Sequence, residues 1–300
     1  MDRREFLKSS LFAALGFSTF GGFNRLVKQA GASERYDFMV ARGEAPAAVT
    51  AAAISGLGGM GRFVSPGDSV VVKPNIGWDR TPEQAATTNP EVVASLVALC
   101  VAAGARKVKV FDHTVNDPRR CYRQSGIENA ARAAGAEVSY VDKRKFRDVK
   151  LRGYALNEWP LYSDVLDADV VINVPVAKTH GIATLTLSMK NLMGVMGGWR
   201  FRIHQKLDRS LVDIALAVRP VLTVLDAVRI LTAHGPQGGD PGDVKRLNRV
   251  IAGIDPVAVD AYGATLFGVE PRELAYLGIA EEAGLGTVNF RRLKSGSIVL

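Results

Sequence analysis

The stretch Asp169-Val-Val-Ile-Asn-Val-Pro-Val-Ala-Lys-Thr-His180 decides the fold class. Residues 170–174 are β-branched and apolar apart from Asn173, which is the composition of a central parallel strand covered on both faces. Pro175 has no N–H to donate, so pairing is expected to stop there. Lys178, Thr179 and His180, and a little further on Lys190 and Asn191, would then lie beyond the carboxyl end of the strand. Open α/β sheets place their ligand sites at that edge.

Outward from this stretch, short apolar runs recur at residues 36–42, 69–73, 107–111, 137–141, 222–225 and 249–254. Helix-compatible segments separate them at residues 46–57, 90–103, 125–134 and 207–218, with Asp213 on the polar face of the last, and a further helix covers 271–283. Several starts carry cap signals: Thr88 or Asn89 before Pro90, and Asp255 before Pro256. The alternation predicts an α/β fold, a mostly parallel sheet with flanking helices in Rossmann-like layers, forming a single domain over residues 33–300. The glycine cluster of residues 56–61 follows a helix instead of a strand, so it reads as a helix stop and not as a dinucleotide fingerprint.

The N-terminus carries a separate message. Arg3-Arg4-Glu5-Phe6-Leu7-Lys8 precedes a modestly apolar segment and then Ala30-Gly31-Ala32, a small-x-small cleavage pattern, so residues 1–32 resemble a twin-arginine signal peptide. The apolar segment is shorter and weaker than the roughly 20 residues a span needs. The reading is therefore export to the periplasm or another extracytoplasmic space, with the twin-arginine translocation machinery as partner and no stable membrane span after cleavage; an uncleaved N-terminal anchor is the second reading. The first 32 residues hold five basic and two acidic side chains, so their removal lowers the formal charge from +8 to +5. A mildly basic exported protein favours anionic ligands, and no nucleic-acid motif is present. Cys100 and Cys121 are too few and too far apart for zinc or iron–sulfur ligation.

Other chemically capable residues fall at predicted strand ends: Lys73 and Asn75, Asp112 and His113, and Asp226. Asp260 follows an N-cap pattern at Asp255 among apolar neighbours, which points it inward toward a cation or a lysine. The basic run of residues 143–152 reads as a solvated loop, and the glycine-rich residues 234–242 as a connection able to close over a ligand.

Lys73-Pro-Asn75, Thr88-Asn-Pro90, Asp112, Pro175-Val-Ala-Lys-Thr-His180, Lys190-Asn-Leu-Met-Gly194, Leu225-Asp226 and Asp255-Pro-Val-Ala-Val-Asp260 occur in that order. In this the chain resembles the domain-of-unknown-function family 362 over roughly residues 36–290. Many members of that family carry ferredoxin-type cysteine clusters; this chain lacks them, so the resemblance implies no iron–sulfur cluster here.

Two functional readings follow. In the first, an exported enzyme acts on a small anionic ligand, a carboxylate or phosphate: Lys73, Asn75, Lys190 and Asn191 bind it, and Lys178, His180 and Asp112 are the catalytic candidates. A divalent metal held by Asp226, Asp255 and Asp260 is a variant of this reading. In the second, the same edge holds a ligand or cofactor without turnover for a redox or assembly partner protein. A purely structural arrangement would instead pair Lys178 and Lys190 with Asp255 and Asp260.

Overall fold

Apolar alternation along the strands builds two cores, one on each face of a single sheet. The computed structural model describes residues 35–300; the export-signal pattern of residues 1–32 lies outside them. In chain order the strands are β1 (Phe38–Arg42), β2 (Ser69–Pro74), β3 (Lys107–Val110), β4 (Glu137–Val138), β5 (Phe146–Lys150), β6 (Glu158–Tyr162), β7 (Val170–Val174), β8 (Val176–His180), β9 (Thr184–Thr186), β10 (Leu222–Leu231), β11 (Val244–Gly253) and β12 (Ser295–Val299). The main sheet has the order β12-β1-β11-β10-β7-β2-β3-β4, with β8 and β9 attached alongside β10. From β4 through β10 every pairing is parallel, and β11 runs antiparallel to both β10 and β1.

Val70 and Val72 of β2 face one core with the helices Pro46–Gly56 and Pro90–Ala102, while Val71 faces the other with the helices Leu207–Val218, Pro256–Thr265 and Ala275–Glu282. This is the period-2 alternation of a strand buried on both faces, so the architecture is α/β with three layers.

The chain crosses from β2 to β3 on one side, and returns later to place β7 on the other. A crevice opens at such a reversal of winding, outside the carboxyl ends of the two central strands. A helix cap and a hydroxyl bridge fix its walls. Asn89 Oδ1 accepts from the Glu91 N–H at 2.9 Å to start the helix Pro90–Ala102. Thr88 Oγ1 accepts from Asn75 N and donates to Val174 O, both at 2.8 Å, which ties the end of β2 to the end of β7.

Several expectations change. Pro175 ends the pairing with β2, yet the chain does not leave the sheet: β8 resumes at Val176 and pairs with β10 and β9, so Lys178, Thr179 and His180 sit on a strand. Pro175 lacks a donor but keeps its carbonyl, which accepts from Asp226 N at 2.8 Å. Asp226 in turn is not at a strand end; β10 continues five residues past it. Part of the basic run forms β5, an exposed ribbon with β6, because Phe146 and Val149 lean on the main core while Arg147, Asp148 and Lys150 stay in solvent. Asp213 is buried and not on a polar face, its carboxylate accepting from the backbone N–H groups of Tyr154, Ala155 and Leu156 at 2.7–2.8 Å. The helix expected over residues 125–134 forms as Ile127–Ala133, and a further short helix, Pro118–Gln124, precedes it, with Gly126 at φ 71° between the two.

Candidate functional site

Lys73 stands at the end of β2 beside Asn173 of β7. Burial to 1% exposure would be costly for its ammonium, and the neighbours answer that cost with oxygen. Nζ donates to Asn191 O at 2.6 Å, Pro74 O at 2.9 Å and Asn191 Oδ1 at 3.0 Å. It also lies 2.9 Å from Asp112 Oδ1, a close ion-pair contact that falls off the hydrogen-bond direction. Asp112 Oδ2 accepts from Ile76 N at 2.6 Å. Desolvation lowers the Lys73 pKa, and Asp112 pushes back against it. Gly194 permits the pair: a Cβ there would fall on Asp112 Oδ1 and Lys73 Nζ, far inside contact distance.

Asn191 is the hub. Its Nδ2 donates to Asn173 Oδ1 at 2.8 Å and Lys73 O at 3.3 Å, while its Oδ1 accepts from Asn75 Nδ2 at 3.1 Å. The short helix Ser188–Asn191 brings Lys190 and Asn191 here, and Asp260 holds its start by accepting from Ser188 N at 2.6 Å and Met189 N at 3.1 Å. Tyr276 Oη donates to the same carboxylate at 3.2 Å. Desolvation raises the Asp260 pKa to about 7.

Lys178 enters from β8. Its Nζ donates to Ala86 O at 2.6 Å and Asn75 Oδ1 at 3.3 Å, both neutral acceptors. Desolvation, opposed by Asp112 and reinforced by Lys190 and Lys73, lowers its pKa to about 7. Lys190 is 8% exposed, and among the described residues its ammonium has only Met193 Sδ, at 3.1 Å, as a hydrogen-bond partner. Desolvation and then Arg200 lower it to about 8. His180 Nδ1 accepts from the N–H groups of Ile182 (3.1 Å) and Ala183 (3.2 Å), which leaves the proton on Nε2. Desolvation, Lys190 and Lys178 hold that ring neutral, with a pKa of about 3.

These groups share one cavity of about 610 Å³ that Lys73, Asn75, Asp112, Lys178, His180, Lys190 and Asn191 all line. All seven catalytic and binding candidates of the sequence thus meet. His113 is also on the wall, its Nδ1 2.6 Å from Met196 O, and Gly235 and Pro236 of the glycine-rich loop close another side. Gly235 packs where a Cβ would collide with Thr179 O, and its N–H donates to Thr179 Oγ1 at 3.2 Å. Sequence reasoning missed Arg200, Thr186, Trp78 and Met193, which line the same space. The only local signal for Arg200 was Gly197-Gly198-Trp199, a turn that releases an exposed ring and an arginine. Arg200 donates to the carbonyls of His113 at 2.8 Å and Thr114 at 2.9 Å, and to no carboxylate among the described residues. The cavity therefore gathers four cationic side chains around one carboxylate.

Asp226, Asp255 and Asp260 do not join them. Asp226 accepts from Asn89 N at 2.7 Å and Val228 N at 2.9 Å, and Asp255 from Ala258 N at 2.9 Å and Thr287 N at 2.8 Å. Each carboxylate is committed to backbone donors, and among the described residues no group of three or more His, Cys, Asp or Glu side chains is set to hold a metal. The proposed metal set does not fit, nor does the pairing of Lys178 and Lys190 with Asp255 and Asp260. Cys100 and Cys121 are buried free thiols that desolvation pushes up to about 12. No helix of the described residues is long and apolar enough to cross a membrane.

Comparison with known proteins adds the family. The profile of the Domain of unknown function (DUF362) matches residues 70–265. The chain belongs to the DUF362 family. That match runs from β2 into the helix Pro256–Thr265, so every cavity-lining residue from Lys73 to Pro236 lies inside the DUF362 region. A thylakoid-associated protein of Synechocystis sp. is 31% identical over 237 residues, which cover 76% of this chain and 72% of that protein. Among solved structures, the lactate racemase apoprotein of Thermoanaerobacterium thermosaccharolyticum aligns with a TM-score of 0.46 at 9% identity, over 77% of this chain and 57% of its own. A Thermotoga maritima protein aligns with a TM-score of 0.40 at 9% identity, over 80% and 60%.

Proposed function

We propose that this DUF362 protein is an exported enzyme that binds a small organic anion, a carboxylate or phosphate, in the cavity at the β2–β7 switch and acts on it by proton transfer. The observation that carries the reading is Lys190: a nearly buried ammonium that finds no oxygen among the described residues, facing a cavity it shares with Lys178 and Arg200. A buried cation without a partner is costly, and an anionic ligand supplies the missing one. Thr186 Oγ1, buried and also without a partner among the described residues, lines the same space.

Within this reading the roles divide. Lys190 and Arg200 receive the anionic group. Asn75 and Asn191, fixed by each other and by Lys73 and Lys178, hold the floor rigid. Lys178, with its pKa near 7, is the side chain whose protonation changes most readily at neutral pH, which is the property a general base or acid needs. His180 donates from Nε2 and stays neutral, so it polarises instead of accepting a proton. Asp112 is engaged with Lys73 and serves as its counter-ion. Export rests on the twin-arginine pattern before residue 33, and likeness to a thylakoid-associated relative is compatible with it.

The test is calorimetric titration of the purified protein with phosphate, sulfate and small mono- and dicarboxylates, alongside Lys190→Met. Binding that falls tenfold or more in the variant, which corresponds to ~1.4 kcal/mol for a lost charge-assisted contact, is the expected result. Wild-type protein that binds none of these anions would end the proposal. N-terminal sequencing of the mature protein from the extracytoplasmic fraction checks the export claim: cleavage after Ala32 supports it, and retention in the cytoplasm removes it.

A further inference from the structure

The three lysines of the cavity differ in what surrounds each nitrogen. Lys73 has more oxygen contacts than N–H bonds to give, and a carboxylate beside it, so it is a locked ammonium. Lys190 meets only a thioether among the described residues. Lys178 is the intermediate case, with two acceptors, Ala86 O and Asn75 Oδ1, and both are neutral. A neutral amine has two N–H bonds and one lone pair. With both N–H bonds held by those acceptors, the remaining tetrahedral direction at Nζ belongs to the lone pair, and Lys178 is on the cavity wall.

We infer that Lys178 is an amine nucleophile that forms a Schiff base with the carbonyl carbon of a bound small oxo acid. This rests on the anion-binding reading above and adds to it a ligand class and a covalent step. Burial beside Lys73 and Lys190 supplies a substantial fraction of free amine at neutral pH, which a solvated lysine does not have. Lys190 and Arg200 hold the carboxylate of the same molecule, which places its neighbouring carbonyl over the amine. Thr186 is the register partner of Lys178 across β8 and β9, so their side chains share a face, and its hydroxyl is buried, unpartnered among the described residues and in the cavity. It is placed to donate to the carbonyl oxygen as attack begins.

The step balances without an oxidant. The lone pair of Nζ adds to the carbonyl carbon while the carbonyl oxygen takes up a proton, giving a carbinolamine. The C–O bond then breaks, the oxygen leaves as water carrying the two hydrogens of the amine, and a C=N bond remains. Protonated, that imine withdraws electrons from the adjacent bonds of the ligand, which is the chemistry a lysine of this kind offers.

The experiment uses the intact folded protein with glyoxylate or pyruvate and cyanoborohydride near neutral pH, followed by intact mass and peptide mapping. Glycolate, the hydroxy counterpart without a carbonyl, is titrated in parallel by calorimetry. The expected result is one reduced adduct per chain, mapped to Lys178, absent in Lys178→Arg, with glycolate binding but giving no adduct. Adducts on Lys190 or scattered over surface lysines, with Lys178 unmodified while glycolate binds, would overturn the covalent step and leave the anion site standing. Absence of both adduct and glycolate, phosphate or sulfate binding would overturn the site as well. Mapping on the wild-type chain keeps the outcome decisive even if the arginine variant does not fold.

Discussion

Asp112→Asn removes the one carboxylate that lines the cavity among the described residues while keeping its shape. The oxygen that accepts from Ile76 N at 2.6 Å can be kept by the amide, so the loss is concentrated on Lys73. Both partners are nearly inaccessible, at 1% and 3% exposure, and breaking a buried pair by deleting one member costs about 3–5 kcal/mol. The carbonyls of Pro74 and Asn191 still reach Nζ, and the ammonium has an escape, because it can release its proton. The penalty therefore depends on pH. Lys73 already has a folded-state pKa below 10.5, so folding works against its proton, and its contribution to stability rises as pH climbs from that lowered value toward 10.5. Without Asp112, whose attraction raises the pKa, that rise begins at lower pH. At about pH 6 the variant should lose about 3–5 kcal/mol, roughly 10 °C in melting temperature for a domain of this size, and at about pH 9.5 the loss should be smaller. Urea unfolding followed by circular dichroism at both pH values measures this. A loss under ~1 kcal/mol at the lower pH, or one of equal size at both, would refute the claim that Lys73 and Asp112 form a charged pair.

Three further outcomes can be checked directly. Affinity for sulfate, whose charge does not change in this range, should be constant below about pH 7 and fall above about pH 8 as Lys190 loses its proton; a flat calorimetric profile to pH 10 would contradict the assignment of the Lys190 ammonium as a receiver. Gly194→Ala should abolish soluble expression or strongly lower the melting temperature, since the methyl group falls on the Lys73–Asp112 pair; a variant that melts like wild type would mean the pair can move apart freely. The Asp260 carboxyl has a raised pKa, about 7 against 3.8, so its contribution to stability is fully present below the unfolded value and is lost as pH rises through about 7. Asp260→Asn should flatten that decline in pH-dependent melting curves, and an unchanged slope would assign the decline to other groups.

Most of the fold was legible because its strands are β-branched, short and separated by capped helices, features that depend on near neighbours in sequence. Pro90 after Asn89 and Pro256 after Asp255 mark helix starts that the structure keeps. The misreadings came where a local rule met a longer-range partner. Pro175 loses one donor but its carbonyl still serves the sheet, through Asp226 N, and the strand resumes one residue later. Asp213 occupies a position that helical periodicity exposes, but three unpaired backbone N–H groups more than 50 residues away draw it into the interior. Periodicity carries no information about such donors. Lys73, Asn75 and Asp112 were found because strand ends converge in a parallel sheet, and Lys178, His180, Lys190 and Asn191 because they follow the apolar run of β7; Arg200 and Thr186 were not, because neither sits at an end that the apolar pattern marks.

The same limit explains why the acidic residues were misassigned while the basic ones were not. Lys73, Lys178 and Lys190 are long side chains whose cations must reach some common polar space if they are buried at all, so their convergence follows from topology. An aspartate is short, and the nearest donors decide its role. Asp226, Asp255 and Asp260 each meet two backbone N–H groups first, at a helix start or a strand irregularity. That commitment removes them as counter-ions for the cavity. One carboxylate, Asp112, is left against four cations, and it is taken by Lys73. The imbalance that an anionic ligand would correct is thus a consequence of where the backbone left its donors unpaired, and moving any of those three carboxylates into the cavity would require a helix or strand to give up its anchor.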